Sequence, residues 1–494
     1  MHNIEDFFSE FKKQYQTTSP YSNINQKVLT FELPFADKDY IEKVFLLAKE
    51  KFKTWKMTNT SVLVHKMKQF IKELQFNQDK IIYYCHLEAG KSLKDAETEF
   101  LRTIEYIETS INIFQNFQDN CFNMDERMAV FSRQPLGVVL AISPFNYPIN
   151  LLVSKIVPAL LMKNCLVIKP ASSGTLTATY IFLSLLNAGF ERGVVNLVPG
   201  KGKEISDLLI KNENINLINF TGSTQVGKYI AKSTYFSQLI MELGGNDPAI
   251  VLDDADQKNA VKEILNGAFS YNGQRCTAIK RVYVHENIFE EFSKLLISEF
   301  KNLITFSSNI DENSKVTPLI SDAAVENAMN LLSESFKKMN PNDFEVFSLN
   351  NQITGQKVAN MIGKENLFFK EKDTNLIFPT IILIHNSNYD TLIEKEEQFA
   401  PILPVIKVKS LKEMIKLANS TDYGLQASVF TKNINIINQC FQEIECGTLN
   451  INQQTKRSPD IFPFQGIKSS GISQQGIYQS LINNSTIKGL VIKK

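Results

Sequence analysis

The chain has 494 residues, 43% hydrophobic and 21% charged, ordinary globular proportions with room for about three domain-sized units of ~150 residues. Its 53 basic and 52 acidic side chains leave a net charge of +1, which argues against a nucleic-acid partner or an acidic tail. The six cysteines (85, 121, 165, 276, 440 and 446) form no CxxC pair and no disulfide-like spacing, and the five histidines are isolated, so a reducing cytoplasm and no metal centre are expected.

The first residues, MHNIEDFFSEFKK, carry acids where a signal peptide has a basic region, and no apolar core follows. Residues 40–118 read as mostly helical, with periodic apolar positions such as Val62, Met67, Phe70, Ile71 and Leu74. The most apolar stretch, NLLVSKIVPALLMKNCLVI, is interrupted by Lys155, Pro158 and Lys163 and does not read as a membrane span. From 137 to 300 short apolar runs alternate with helical segments. GVVLAIS, CLVIKP, VVNLVP, INLINFTG and PAIVLDD are strand-like, with LVSKIVPALLM, TLTATYIFLSLLNAG, KEISDLLIKN and TQVGKYIAKST as helices between them. That alternation predicts βαβ units and a parallel sheet, which binds ligands at the carboxyl ends of its strands. A second α/β stretch runs from about 248 to 450, with IILIHN and PVIKVKS as further strands, and 301–360 reads as a helix and a polar loop. No repeat or low-complexity linker separates the two blocks, so a cleft between them is the expected site.

Several short stretches carry groups suited to chemistry. In YNGQRCTAIKRV, Cys276 sits between Arg275 and Thr277 in a polar setting; a surface turn is one reading, a nucleophile beside a cation that activates it or holds an anion is the other. LIMELGGNDPAIVL places one acid, Glu242, in an apolar strand, where it is either an N-cap or ion-pair partner or an acid whose pKa desolvation raises toward that of a general base. In AISPFNYPINL, Pro144 and Pro148 stiffen a loop holding the Asn146 amide and Tyr147 hydroxyl, a rigid turn or a preorganised set of donors. INFTGSTQVGK is a strand, a turn at Gly222 and Ser223, and a helix, where a phosphate can approach backbone amides, although no GxGxxG fingerprint is present. LVIKPASSGTL sets Lys169 at a strand end with Ser172 and Ser173 after it, as capping serines or as a ribose site. With no carboxylate at 171–173, a lysine with hydroxyls suits a 2′-phosphate, and so NADP, better than NAD.

Taken in order, ISPFNYP, KPAS, FTGS, MELGG, GQRCTA, EEQFAP and PFQGIKSSG resemble the aldehyde dehydrogenase superfamily from about residue 40 to 480. ISPFNYP, GQRCTAIKRV, YGLQASVFT and NINQQTKRSPDIFPFQGIKSSG are most similar to its non-phosphorylating, NADP-dependent glyceraldehyde-3-phosphate dehydrogenases. The resemblance implies a Rossmann-like cofactor domain (1–118 and 135–243), an α/β catalytic domain (244–450), and a small oligomerisation β element (119–134 and 478–494) in a cytoplasmic dimer or tetramer. It implies irreversible oxidation of D-glyceraldehyde 3-phosphate to 3-phosphoglycerate, with NADP, or NAD, as acceptor. Cys276 would be the nucleophile, Glu242 the base and Asn146 an oxyanion donor. Arg102, Tyr147, Arg275 and Arg457 would grip the substrate phosphate, while Lys169, Ser172, Gly222, Ser223, Glu397 and Phe399 would hold the cofactor. Ala400 stands where the family has a glycine, Asn246 where it has a lysine, and no N-terminal strand motif with an Asn-Gly turn is recognisable in the first 35 residues. The competing expectations are another aldehyde dehydrogenase, acting on succinic semialdehyde or an aliphatic aldehyde, and a catalytically silent protein on the same fold. The silent protein would be marked by loss of Cys276, Glu242 or Asn146, and all three are present.

Overall fold

The structure is a computed structural model that describes residues 2–22, 29–310, 313–348, 351–355, 357, 369–457 and 459–494. Five parallel strands build one sheet, in the spatial order Gln238–Glu242, Leu217–Thr221, Val138–Ile142, Cys165–Lys169 and Val195–Leu197, with the short Gly471–Ile472 antiparallel at one edge. The chain leaves Val138–Ile142 in one direction for two strands and then returns to its other side. Such a reversal opens a crevice at the carboxyl ends of the strands. Lys169, Thr221 and Glu242 each end a strand at this edge.

The helices Lys38–Trp55, Thr60–Phe76, Gln78–Ala89 and Leu93–Gln115 bear out the helical reading of 40–118. Their apolar stripes, including Phe45, Phe70, Leu74 and Phe100, join the sheet in one core. Helices Asn150–Leu161 and Thr175–Asn187 are buried almost all round, which explains their apolar sequence: they are inner helices.

A second sheet has eight strands, in the order Asn351–Thr354, Phe344–Ser348, Thr380–Ile384, Ile402–Val408, Ile279–His285, Asp247–Val251, Gln426–Phe430 and Thr448–Ile451. It is parallel except for Phe344–Ser348, which runs antiparallel to both neighbours. Alternate residues enter separate cores, Ile250 and Ile382 on one face, Val251 and Ile381 on the other. Burial on both faces produces unbroken runs such as TIILI. Helix Asp322–Lys338 and Phe344–Ser348 occupy part of the 301–360 segment read as helix and polar loop, and 311–312, 349–350, 356 and 358–360 lie outside the described residues.

The N-terminal residues, where no strand motif was recognised, form an antiparallel pair, Lys13–Thr18 with Thr30–Phe35. Mixed, polar-rich strands of this kind show little alternation, so their pairing is decided by the Tyr15, Leu33 and Leu176 packing beneath them. A third sheet of antiparallel strands joins Asn120–Asn123, Arg127–Pro135 and Ser485–Lys493. Among the described residues no helix is long and apolar enough to cross a membrane, and no group of three potential metal ligands occurs.

Candidate active site

Cys276 lies on a loop between the two large sheets. After helix Gln257–Phe269 the backbone turns through three left-handed residues, Tyr271 (φ 48°), Asn272 (φ 61°) and Gly273 (φ 68°). Such angles cost a non-glycine residue about 1–2 kcal/mol each. Side chains hold them in place. The Asn272 amide donates to the Thr317 hydroxyl at 3.1 Å while Thr317 N–H donates back at 2.5 Å, and Tyr271 O–H donates to the Ala89 carbonyl at 2.6 Å. Gly245 completes the seat, since a Cβ there would lie 2.4 Å from the Cys276 carbonyl oxygen.

The Cys276 sulfur is 3.6 Å from Oε1 of Glu242, whose side chain is 2% exposed. Burial pushes the thiol well above its ordinary pKa, with Glu242, Glu397 and Asp247 pushing the same way and Arg457 opposing. Both burial and the neighbouring acids thus favour the thiol over the thiolate, with the Glu242 carboxyl group beside it. The other carboxylate oxygen of Glu242 accepts from Arg457 Nη1 at 2.5 Å and from the Thr221 hydroxyl at 3.3 Å. Behind Thr221 stands a buried lysine, Lys155, donating to its hydroxyl at 2.6 Å. Burial draws the Lys155 pKa down to about 7, with Glu242 resisting. Asn146 is buried and donates from Nδ2 to the Gln274 carbonyl at 2.9 Å, which places a side-chain amide against the nucleophile loop with one N–H to spare.

The four residues expected around a substrate anion divide into groups. Arg102 and Tyr147 line one cavity of about 160 Å³, together with Lys91 and Asn150. Arg102 grips Asp460 with two hydrogen bonds, 2.7 and 2.8 Å, and also donates to the Arg457 carbonyl. Arg457 reaches Glu242 and, through Nη2, Gln475 at 2.7 Å. Arg275 is turned onto the Gly267 carbonyl at 2.5 Å, near the end of helix Gln257–Phe269, and its buried Nε has no partner among the described residues.

On the other side of the sheet edge, Lys169 is buried and donates to the Pro170 carbonyl at 2.5 Å; burial alone lowers its pKa to about 8. Ser172 follows in the turn before helix Thr175–Asn187, its carbonyl accepting from Thr175 Oγ1 at 3.2 Å. Gly222 N–H donates to the Glu242 carbonyl at 3.1 Å, and Ser223 caps helix Thr224–Ser233. Glu397 accepts from Gly245 N–H at 3.1 Å, and the Phe399 ring (φ 49°) lies 6.1 Å from that of Phe145. A buried ammonium bonded to a carbonyl, a capped helix N-terminus and a ring form a donor set suited to an anionic, partly aromatic ligand. The two departures from the family pattern are both buried. Asn246 donates to the Glu394 carbonyl at 2.9 Å, and Ala400 packs in the core of the second sheet.

Several groups were not anticipated. Lys91 is buried on Glu99, with its ammonium 3.7 Å from the Tyr147 ring centroid and 4.7 Å from that of Tyr271. Glu99 also accepts from the N–H groups of Ile149 and Asn150 at 2.8 and 2.9 Å, which fixes the loop carrying Asn146 and Tyr147. Lys155 gave one signal, a lone charge within an apolar helix, whereas Lys280 stands beside Arg281 and gave none.

A parallel sheet with polar groups at its carboxyl edge, beside a cysteine and a buried carboxylate, is the arrangement of a class of α/β enzymes. A model of the aldehyde dehydrogenase family matches residues 8–489, and the chain belongs to that family. It is an oxidoreductase acting on aldehydes. It is 34% identical over 466 residues to an NADP-dependent glyceraldehyde-3-phosphate dehydrogenase of Streptococcus equinus, covering 93% of this chain and 92% of that one. It is 32% identical to a lactaldehyde dehydrogenase of Methanococcus maripaludis (strain C7), with 85% of each covered. Among solved structures, that of NADP-dependent glyceraldehyde-3-phosphate dehydrogenase from Bacillus halodurans C-125 complexed with NADP superposes with a TM-score of 0.87. It is 32% identical, and the match covers 98% of this chain and 96% of that one.

Proposed function

We propose that this aldehyde dehydrogenase oxidises D-glyceraldehyde 3-phosphate to 3-phosphoglycerate with NADP as acceptor, through a thioester on Cys276 that water hydrolyses. Glu242 takes the thiol proton, and the sulfur adds to the aldehyde carbon. The carbonyl electron pair moves onto oxygen, where the Asn146 amide and the Cys276 N–H receive it. Preorganised donors of this kind are each worth ~3–4 kcal/mol in the transition state. The chemistry supplied by NADP, when bound, is hydride acceptance, which carries the hemithioacetal to the thioester. Glu242 passes the thiol's proton to solvent and, as a carboxylate again, takes a proton from the water that attacks the thioester. The tetrahedral adduct then expels the Cys276 thiolate, which takes that proton back from Glu242 as the acid leaves.

Lys169 and Ser172 would hold the 2′-phosphate and ribose, Gly222 and Ser223 the pyrophosphate, and Glu397 and Phe399 the nicotinamide end. The buried Lys169 ammonium, bonded to a carbonyl, supports that fit, as do the NADP-dependent relatives. Asn246 and Ala400 stand outside this donor set.

The observation that carries the substrate reading is the Arg457 guanidinium at 2.5 Å from Glu242, itself 3.6 Å from the Cys276 sulfur. A permanent cation so close to the reacting centre suits a short anionic aldehyde. The spare Nε of Arg275, the unpartnered Asn150 amide nitrogen and the Arg102–Tyr147 cavity add donors for its phosphate. A second reading, another aldehyde such as succinic semialdehyde or an aliphatic one, draws support from the carboxylates already on Arg457 and Arg102. Incubating purified protein with D-glyceraldehyde 3-phosphate and NADP, without inorganic phosphate, separates them. Rapid NADPH formation favours the first reading, and turnover restricted to unphosphorylated aldehydes favours the second.

The proposed division of labour keeps residues 1–118 and 135–243 for the cofactor and 244–450 for the nucleophile. It keeps 119–134 and 478–494 for assembly as a dimer or tetramer. Ile487, Leu490 and Val491, exposed along the strand Ser485–Lys493, support a second copy of the chain as the partner of that element.

A further inference from the structure

Lys280 is the second residue of the buried strand Ile279–His285, with Arg281 beside it, and is 1% exposed. Its ammonium donates two hydrogen bonds of 2.8 Å to backbone carbonyls, those of Gly273 and Arg275. The second carbonyl matters chemically. The peptide unit that begins with the Arg275 C=O ends with the N–H of Cys276. Ala278 N–H donates to the same oxygen at 3.1 Å, so that oxygen accepts from an ammonium and an amide together. A carbonyl loaded in this way draws charge toward oxygen and leaves its amide hydrogen more positive, the cooperativity of linked hydrogen bonds in a low-dielectric site.

We propose that Lys280 is a positioning residue that polarises the Arg275–Cys276 peptide, strengthening the Cys276 N–H as a donor to the oxyanion. The inference rests on the reading of Cys276 as the nucleophile. As the S–C bond forms, the aldehyde π pair becomes a lone pair on oxygen and the thiol proton passes to Glu242, so negative charge develops where this N–H points. Hydrolysis of the thioester builds a second oxyanion at the same place. Charge facing Lys280 comes from Glu397, Asp247 and the Cys276 sulfur, which favour the ammonium, and from Arg275, which opposes it. Burial lowers the Lys280 pKa to about 8, which leaves the ammonium charged at neutral pH. The same ammonium lies 4.9 Å from the Phe399 ring centroid, bracing the nucleophile loop against the Glu397–Phe399 turn.

A purely structural role would make the same contacts, so the test needs a reaction of Cys276 that forms no oxyanion. Alkylation by iodoacetamide is such a reaction, a displacement at saturated carbon. The full-length Lys280→Met and Lys280→Arg variants are compared with wild type for aldehyde kcat/KM and for the rate of Cys276 alkylation. Lys280→Met is expected to lower kcat/KM about 10- to 100-fold, up to the loss seen for a whole oxyanion donor. Its alkylation rate, compared at equal thiolate content from each protein's pH profile, stays within about twofold of wild type, since attack on iodoacetamide builds no charge on oxygen. Lys280→Arg, which retains a cation, is expected to recover most of the loss. Should Lys280→Met not fold, Lys280→Gln replaces it, with the same expectations. A parallel fall in alkylation and oxidation, or unchanged kcat/KM, overturns the proposal. Wild-type protein that alkylates normally but oxidises no aldehyde overturns the reading of the site, and this inference with it.

Discussion

The Arg457 guanidinium sits closer to the Glu242 carboxylate, at 2.5 Å, than the Cys276 sulfur does, at 3.6 Å. The base is therefore shared between a cation and a thiol. A substrate phosphate that takes up Arg457 would free the carboxylate oxygen nearest it and leave Glu242 to the sulfur or to water. The pair is buried, and removing one partner of a buried pair leaves the other uncompensated.

Arg457→Ala is accordingly expected to raise KM for glyceraldehyde 3-phosphate by roughly 10- to 150-fold, the equivalent of one charge-assisted hydrogen bond of ~1.5–3 kcal/mol. KM for an unphosphorylated aldehyde should change several-fold less. Steady-state kinetics on both substrates checks this, and equal increases would remove Arg457 from the phosphate site.

Glu242→Gln keeps the side-chain shape and an oxygen for Thr221 and Arg457, while removing the base and the charge that compensates the guanidinium. Because Glu242 serves both thiol activation and hydrolysis, oxidation is expected to slow by ~10²–10⁴ in the first turnover as well as in steady state, the usual contribution of a positioned acid–base group. Stopped-flow NADPH formation and steady-state rates read the two steps, and a wild-type burst followed by slow turnover would confine Glu242 to hydrolysis.

Lys169 gives a pH prediction. Its folded pKa is near 8, lowered by burial, so the ammonium is fully present below pH 7 and is lost as pH rises through 8. Affinity for NADP should weaken over that range by up to about tenfold per unit, because the 2′-phosphate raises the pKa of the lysine that holds it. NAD affinity, with no 2′-phosphate, should stay nearly level. Calorimetric titrations between pH 6.5 and 9 read both, and Lys169→Met should abolish the difference.

Gly245→Ala would drive a methyl group to within 2.4 Å of the Cys276 carbonyl oxygen, which is backbone and has no rotamer to retreat into. Overpacking of this kind costs about 1–3 kcal/mol. A fall in thermal midpoint is expected together with a loss of oxidation out of proportion to it, because the nucleophile loop itself is displaced. Calorimetry alongside activity tests the pairing.

Much of the site was legible in the sequence because its pieces are local. Strand ends are marked by short motifs, and the sheet places Lys169, Thr221 and Glu242 on one edge by topology alone. What the motifs do not carry is partnership across the chain. Arg102 and Asp460 are 358 positions apart, and Arg457 and Glu242 are 215 apart. No spacing rule connects residues that meet only after two sheets have packed. Glu242 reads from the sequence as a desolvated base or as an N-cap or ion-pair partner, and nothing near it in the chain names Arg457 as the guanidinium it meets. Lys280 and Lys155 were overlooked on other grounds: Lys155 reads as an interruption of an apolar helix and Lys280 as one of two adjacent cations, and neither position names the buried acceptors it reaches. The N-terminal hairpin escaped notice because its strands alternate weakly.

The central claim is oxidation of a phosphorylated aldehyde through a Cys276 thioester that water, and not phosphate, releases. The most direct test is to run the reaction with glyceraldehyde 3-phosphate and NADP in oxygen-18-labelled water and weigh the product. The account predicts 3-phosphoglycerate with one labelled oxygen in its carboxylate, formed without inorganic phosphate. An unlabelled carboxylate, or no product until inorganic phosphate is added, would contradict it.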